Sequence, residues 1–215
     1  MVDHDASRIE HLATKTPGAH AAVVDLAVET QIREFYHNLQ REKVRLDILV
    51  NAAGIPGEAA LEAMDARLWR RVLAVNTTAP MLMTQHALPY FNRAASVIYI
   101  SSIAGLQGFA QRSAYCTSKA ALMGLTRALA VELAPRKIRV NCLAPGTIDT
   151  PWIDRLIAQS PKAEETKRKL THRAPLERMG TVEEIAGLAA FLSSDESRFI
   201  TGAVIPIDGG ATIRG

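Results

Sequence analysis

Short apolar runs alternate along the chain with stretches whose apolar positions recur every three or four residues. Ala21 to Leu26 reads as a strand, and the stretch from Glu29 to Lys43 reads as a helix with Ile32, Phe35, Tyr36 and Leu39 on one face. Leu46 to Val50 is a second strand, ending in Asn51-Ala52-Ala53-Gly54. Residues 65 to 92 read as helical, with an interruption near Asn76 and an end around Pro89. Ser96 to Ser101 is a third strand, and its continuous Val97-Ile98-Tyr99-Ile100 run is typical of a strand buried on both faces. Ser113 to Ala134 is a long helix stopped by Pro135, and Ile138 to Leu143 a fourth strand closed by Pro145-Gly146. Thr181 caps a further helix, with Glu184 completing a capping box, and the last strand, Ala203 to Ile207, runs into Asp208-Gly209-Gly210. Strands and helices alternating in this way predict an α/β fold, a doubly wound parallel sheet covered on both faces. Neither repeats nor a low-complexity linker divide residues 1–215, so one domain is expected.

Between a strand end and the final helix lies a charged, partly helical excursion, residues 150–172. Its Lys162 to Lys169 run reads most simply as a solvated helix face with i,i+4 charge pairs. Long excursions in compact domains are usually functional, so residues 147–180 also suit a lid over a substrate pocket.

Composition narrows the function classes. A chain of 215 residues can bury one full core. With 5% aromatic residues, a net charge of +3 and scattered rather than clustered Lys and Arg, no nucleic-acid partner is expected. No apolar run reaches membrane-spanning length, and the polar start Met1-Val2-Asp3-His4-Asp5 lacks a signal peptide's apolar stretch. Cys116 and Cys142 form no paired motif, which suggests a reducing compartment, no disulfide framework and no metal site. A cytoplasmic enzyme acting on a small molecule is the default.

In an open parallel sheet, ligands bind outside the carboxyl ends of the strands. Asp25, Asn51 to Gly54, Ser101-Ser102 and Pro145-Gly146 all stand there, which points to one shared crevice. Tyr115 and Lys119 lie four apart on the long helix and so share a face. A phenol titrates near ~10 and is a poor acid or base at neutral pH, but a neighbouring ammonium stabilises the phenolate. The bland alternative is a surface tyrosine stacked on a lysine stem. Ser102, at the end of a buried strand, could hydrogen-bond the same substrate oxygen. Asn76 in Val75-Asn76-Thr77-Thr78 must find polar partners, either local backbone or a proton-carrying water, and could simply mark a kink.

Asn51-Ala52-Ala53-Gly54 resembles the Asn-Asn-Ala-Gly strand-end motif of the short-chain dehydrogenase/reductase family, with Ala in its second position. Ile100-Ser101-Ser102-Ile103-Ala104-Gly105, Tyr115-Cys116-Thr117-Ser118-Lys119-Ala120 and Arg139 to Gly146 follow in the family's order and spacing, as do Gly202 and Asp208-Gly209-Gly210. The likeness runs from about residue 3 to the C-terminus. It implies a Rossmann-like fold and an oxidoreductase moving a hydride between a nicotinamide cofactor and a secondary alcohol or ketone. Asn76, Ser102, Tyr115 and Lys119 would then be the catalytic tetrad. Tyr115 would be the acid/base, Ser102 would position and polarise the substrate oxygen, and Asn76 would anchor a water leading to bulk. Lys119 would lower the tyrosine pKa and bind the nicotinamide ribose. Asp25 and Leu26 would contact the adenine, Asn51, Ala52, Ala53 and Gly54 would line the cofactor, and Pro145, Gly146, Ile148 and Thr150 would hold the nicotinamide. Asp3 would accept the ribose hydroxyls and favour NAD over NADP. The family's assembly implies a homo-dimer or homo-tetramer through the helices carrying Met81 to Leu88 and Ala120 to Val131.

The family also opens with a strand, a Thr-Gly-x-x-x-Gly-x-Gly turn and a helix, and no such segment is present. The first glycine, Gly18 in Thr16-Pro17-Gly18-Ala19, reads as a plain turn. The expectation is therefore a sheet lacking the family's first strand, first helix and most of its second strand, with the Ala21–Leu26 strand left without a link to Leu46–Val50. That absence puts activity of these residues in doubt, and the alternative function is a truncated, non-catalytic subunit that binds a partner or co-assembles. Extended epimerases need a larger C-terminal domain, and divergent enoyl reductases space their tyrosine and lysine more widely than Tyr115 and Lys119.

Overall fold

The computed structural model describes residues 1–213. The chain opens on strand β1 (Val2–Asp3) and helix α1 (Ala6–Lys15), then passes through β2 (Ala22–Val23) and α2 (Glu29–Arg41). β3 (Leu46–Asn51) leads through α3 (Ala66–Leu73), a π-helical turn (Ala74–Thr78) and α4 (Ala79–Ala87) into β4 (Phe91–Ile100). α5 (Ser113–Leu133), β5 (Arg139–Pro145), α6 (Pro151–Ala158), α7 (Ala163–Thr171), α8 (Val182–Ser193) and β6 (Val204–Ile207) complete it. Every strand pairing is parallel, as alternating strands and helices require.

Four strands form one sheet in the order β3-β4-β5-β6, and β1 and β2 form a second, two-stranded sheet. A first strand and first helix are thus present in the chain, contrary to the expectation that it lacks both. β2 is not isolated either, because Val2 and Asp3 pair with Ala22 and Val23. No ladder joins the two sheets among the described residues.

Strand β4 shows why the larger sheet is buried on both sides. Successive side chains point to opposite faces. Val97 and Tyr99 join the core cluster that includes Met83 of α4 and Leu122 of α5, whereas Ile98 packs with Leu143 of β5 and Leu192 of α8. Each of Val97, Ile98 and Tyr99 is fully buried. Two tyrosines tie α2 to the chain around α4: Tyr36 Oη donates to the Met83 carbonyl at 2.7 Å and Tyr90 Oη to the Tyr36 carbonyl at 2.8 Å.

The element boundaries differ from the sequence expectation where side chains compete for backbone groups. Ala21–Leu26 shrinks to Ala22–Val23 because the Gln31 amide oxygen takes the Asp25 N–H at 2.7 Å and the Asp25 carboxylate takes the Ala27 N–H at 2.9 Å. β4 begins at Phe91 rather than Ser96, where the Arg45 guanidinium binds the carbonyls of Pro89 and Phe91. The excursion at 150–172 is two helices, α6 and α7, and its charge pairs form as expected, with Glu165 3.3 Å from Lys162 and 2.7 Å from Lys169. The Thr181–Glu184 capping box is formed in full. Among the described residues no helix is long and apolar enough to cross a membrane, and no cluster of potential metal ligands occurs.

Candidate active site

Parallel strands bring their carboxyl ends to one edge, so Asn51, Ser101-Ser102 and Pro145-Gly146 follow one another there. Ser102 leaves β4 in extended conformation and caps a short 3-10 turn, Ile103–Gly105, its Oγ accepting from Ala104 N at 3.1 Å. The turn lies against α5. The neighbouring Ser101 Oγ donates to the Lys119 carbonyl at 2.7 Å, which fixes α5 to the strand end beside Tyr115.

Tyr115 and Lys119 share a face of α5 as their spacing predicts, with Lys119 Nζ 5.6 Å from the tyrosine ring centroid. Lys119 is 4% exposed and donates to the Ile100 carbonyl at 2.9 Å. Burial brings its pKa down to about 8. The Tyr115 phenol is pushed up by burial, while its hydrogen bond with Ser102 and the nearby Arg112 charge act in the opposite direction. The Arg112 Cζ stands 6.0 Å from the ring centroid, so a second cation lies beside the phenol in addition to Lys119. Arg112, one residue before α5, carried no recognisable signal of this in the sequence.

Asn76 occupies the π-helical turn, fully buried. Its partners lie across the site rather than in its own turn. Oδ1 accepts from Ile55 N at 2.8 Å, and Nδ2 donates to the Ile55 carbonyl at 2.9 Å and to Ser118 Oγ at 3.1 Å. A β-carbon on Gly54 would stand 3.3 Å from Lys119 Nζ and 3.4 Å from Asn76 Oδ1, so the end of the strand-end motif runs directly over both.

The remaining expected residues divide between two cavities. Ser102, Tyr115, Gly146, Ile148 and Thr150 line one of about 290 Å³. Leu26, Asn51, Ala52 and Ala53 line another of about 300 Å³, bounded by β1 on one side and β3 on the other. Pro145 is buried behind Gly146, and Thr150 also caps α6 through a 3.5 Å bond from Ile153 N. Asp3 and Asp25 stand outside both cavities. Asp3 holds the His4 imidazole at 3.0 Å, and Asp25 is engaged in its own turn.

A lowered lysine pKa makes stability depend on pH. Below about pH 8 the folded and unfolded chains both hold the Lys119 proton, and above that the folded chain releases it first. Stability from this group therefore rises with pH between the folded value and the unfolded 10.5. Cys142, whose pKa burial raises, acts in the opposite sense above its usual 9.0, so the comparison must be with a variant. Subtracting Lys119→Met from the parent should isolate a gain of roughly 2 kcal/mol from about pH 8 to about pH 9.5. Chemical denaturation across that range checks it, and a flat difference refutes the burial of the ammonium.

Fold and site together define a doubly wound, Rossmann-like α/β domain with a tyrosine–lysine pair in a crevice at its strand ends. A family model described as Enoyl-(Acyl carrier protein) reductase matches residues 1–212. The 3-oxoacyl-[acyl-carrier-protein] reductase FabG of Thermotoga maritima is 40% identical over 193 residues, 89% of this chain and 76% of that protein. The solved 4-hydroxyisoleucine dehydrogenase complexed with NADH superposes with a TM-score of 0.91 at 28% identity, over 100% of this chain and 88% of that one. The RhlG/NADP active-site complex of Pseudomonas aeruginosa superposes with a TM-score of 0.90 at 36% identity, over 98% of this chain and 85% of that one. The chain belongs to the short-chain dehydrogenase/reductase family of oxidoreductases. The doubt about activity that the absent glycine turn raised finds no support in these comparisons.

Proposed function

We propose that this protein is an NAD(P)-dependent dehydrogenase/reductase that interconverts a secondary alcohol and a ketone. The observation that carries the reading is that Ser102 and Tyr115 stand on the wall of one cavity, with buried Lys119 beside the tyrosine ring. The residues present fit a dinucleotide. Asn51 Nδ2 is buried without a hydrogen-bond partner among the described residues, on the cavity that Ala52 and Ala53 also line. Bound nicotinamide would supply or accept the hydride. On this reading Ser102 holds the substrate oxygen, the Tyr115 hydroxyl gives a proton to that oxygen in reduction and takes it in oxidation, and Lys119 binds the ribose. Asn76 keeps Ile55 and the Gly54 backbone in place over Lys119 and lends its amide oxygen to a water chain. Pro145, Gly146, Ile148 and Thr150 border the nicotinamide, and Asp25 and Leu26 the adenine.

Three finer readings accompany it. Residues 147–180, with α6 and α7, act as the substrate lid, and α4 and α5 form the interface of a homo-dimer or homo-tetramer. Asp3, ending β1, favours NAD, because its carboxylate repels a 2′-phosphate. Similar proteins have been solved with NADH and with NADP. Ketone reduction followed with NADH and with NADPH tests the reading and the preference together. Turnover with an NADH preference of about tenfold or more, reduced in Asp3→Asn, is the expected result. An NADPH preference overturns the role of Asp3, and absence of turnover across ketones and secondary alcohols overturns the function. The truncated, non-catalytic alternative draws no support from a site whose tyrosine, serine and lysine are already assembled.

A further inference from the structure

The cavity holding Ser102 and Tyr115 contains two guanidinium groups and no carboxylate among its lining residues. Arg112 is neutralised by an ion pair with Glu58. Arg173 has no ion pair among the described residues. Its Cζ lies 5.0 Å from the centroid of the Phe109 ring, an aromatic face that orients a guanidinium without cancelling its charge. The rest of the wall is largely apolar, with Trp152, Leu156 and Leu170 supplied by α6 and α7.

Arg173 is exposed to solvent at the cavity wall and carries its charge without a carboxylate partner among the described residues, which leaves its guanidinium accessible to an anionic ligand group. A guanidinium meets a carboxylate through two parallel hydrogen bonds, which fixes orientation as well as adding energy. The apolar side chains that line the same cavity suit a hydrocarbon spacer between a carboxylate and a carbonyl.

We propose that the substrate is an oxo or hydroxy acid with a free carboxylate, seated with its carbonyl oxygen at Ser102 and Tyr115 and its carboxylate on Arg173. The proposal rests on the dehydrogenase/reductase reading and names its substrate class. It makes Arg173 a specificity-determining residue and distinguishes the site from one built for a neutral acyl chain on a carrier.

Two measurements test it. Trp152 lines the cavity, so its fluorescence reports occupancy without any turnover. Titration with hexanoate should change this emission, and hexanamide should bind at least tenfold more weakly. Arg173→Met, which keeps an apolar stem, should bind the two equally, and Trp152→Phe identifies the reporting tryptophan. The second measurement compares short oxo acids, their carbonyl and carboxylate two to four carbons apart, with the matching amides. The expected result is an acid-over-amide preference in kcat/KM of at least tenfold that collapses to about one in Arg173→Met, with the cofactor KM unchanged. Equal binding of hexanoate and hexanamide, or an acid preference that survives Arg173→Met, overturns the carboxylate site. Amides turned over as well as acids leave the reductase reading standing and overturn the substrate class alone. Hexanoate binding that depends on Arg173, with no oxo acid turned over, keeps the site and overturns the reductase reading.

Discussion

Tyr115→Phe should lower kcat by about 10²–10⁴-fold, the range that a positioned proton donor contributes, while leaving affinity for the nicotinamide cofactor unchanged. The substitution removes one hydroxyl and nothing else. The ring, which stands 6.0 Å from the Arg112 guanidinium carbon and 5.6 Å from Lys119 Nζ at its centroid, keeps its place. At most one polar contact of the hydroxyl, that with the neighbouring Ser102, is lost from the folded state, so the unfolding free energy should fall by no more than about 1 kcal/mol. Steady-state kinetics, cofactor titration and a denaturant melt on the same preparation separate the effects. Turnover within a few-fold of the parent would remove Tyr115 from the chemistry. Equal losses in cofactor affinity and turnover would show that the ring positions the cofactor rather than moving a proton.

That prediction was accessible from the sequence because helical spacing is rigid: four residues always return to the same face, so Tyr115 and Lys119 had to meet. Ser102 was legible for a related reason, since a buried strand ends where its apolar run ends and parallel strands end on one edge. Asn76 was legible as a buried polar residue, but its partners were not. Ile55 and Ser118 are 21 and 42 residues away, and only the packing of the π-helical turn against α5 brings them together. Arg112 and Arg173 were invisible for the same reason. They lie on either side of β5 in the chain, and each resembles any surface arginine until the fold places both on one cavity wall. The strand over Ala21–Leu26 was over-read because apolar content reports burial, whereas the ladder ends where the Gln31 and Asp25 side chains take the backbone N–H groups.

Gly105→Ala should be nearly as damaging as loss of the tyrosine, although Gly105 takes no part in the chemistry. Its missing β-carbon is the reason the Ile103–Gly105 turn can lie against α5. An added carbon would stand 2.8 Å from both Ala120 N and the Lys119 carbonyl carbon, and 2.6 Å from the Met123 methyl. The methionine end can swing away, but the helix backbone cannot, so the turn must lift. Ser102 caps that turn and is carried with it, away from Tyr115. Overpacking of this kind costs about 1–3 kcal/mol, and a displacement of about 1 Å at a reacting centre costs about 10²-fold in rate. Gly108→Ala is the matched control, because a β-carbon there has no atom within 4 Å. The expected outcome is a lower denaturation midpoint and a kcat per folded molecule reduced by roughly 10²-fold in Gly105→Ala, with both quantities near parental in Gly108→Ala. A Gly105→Ala protein that is destabilised yet turns over at the parental rate when fully folded would show that Ser102 holds its place without the turn, and that β4 and the Ser101 bond to the Lys119 carbonyl suffice to set the site.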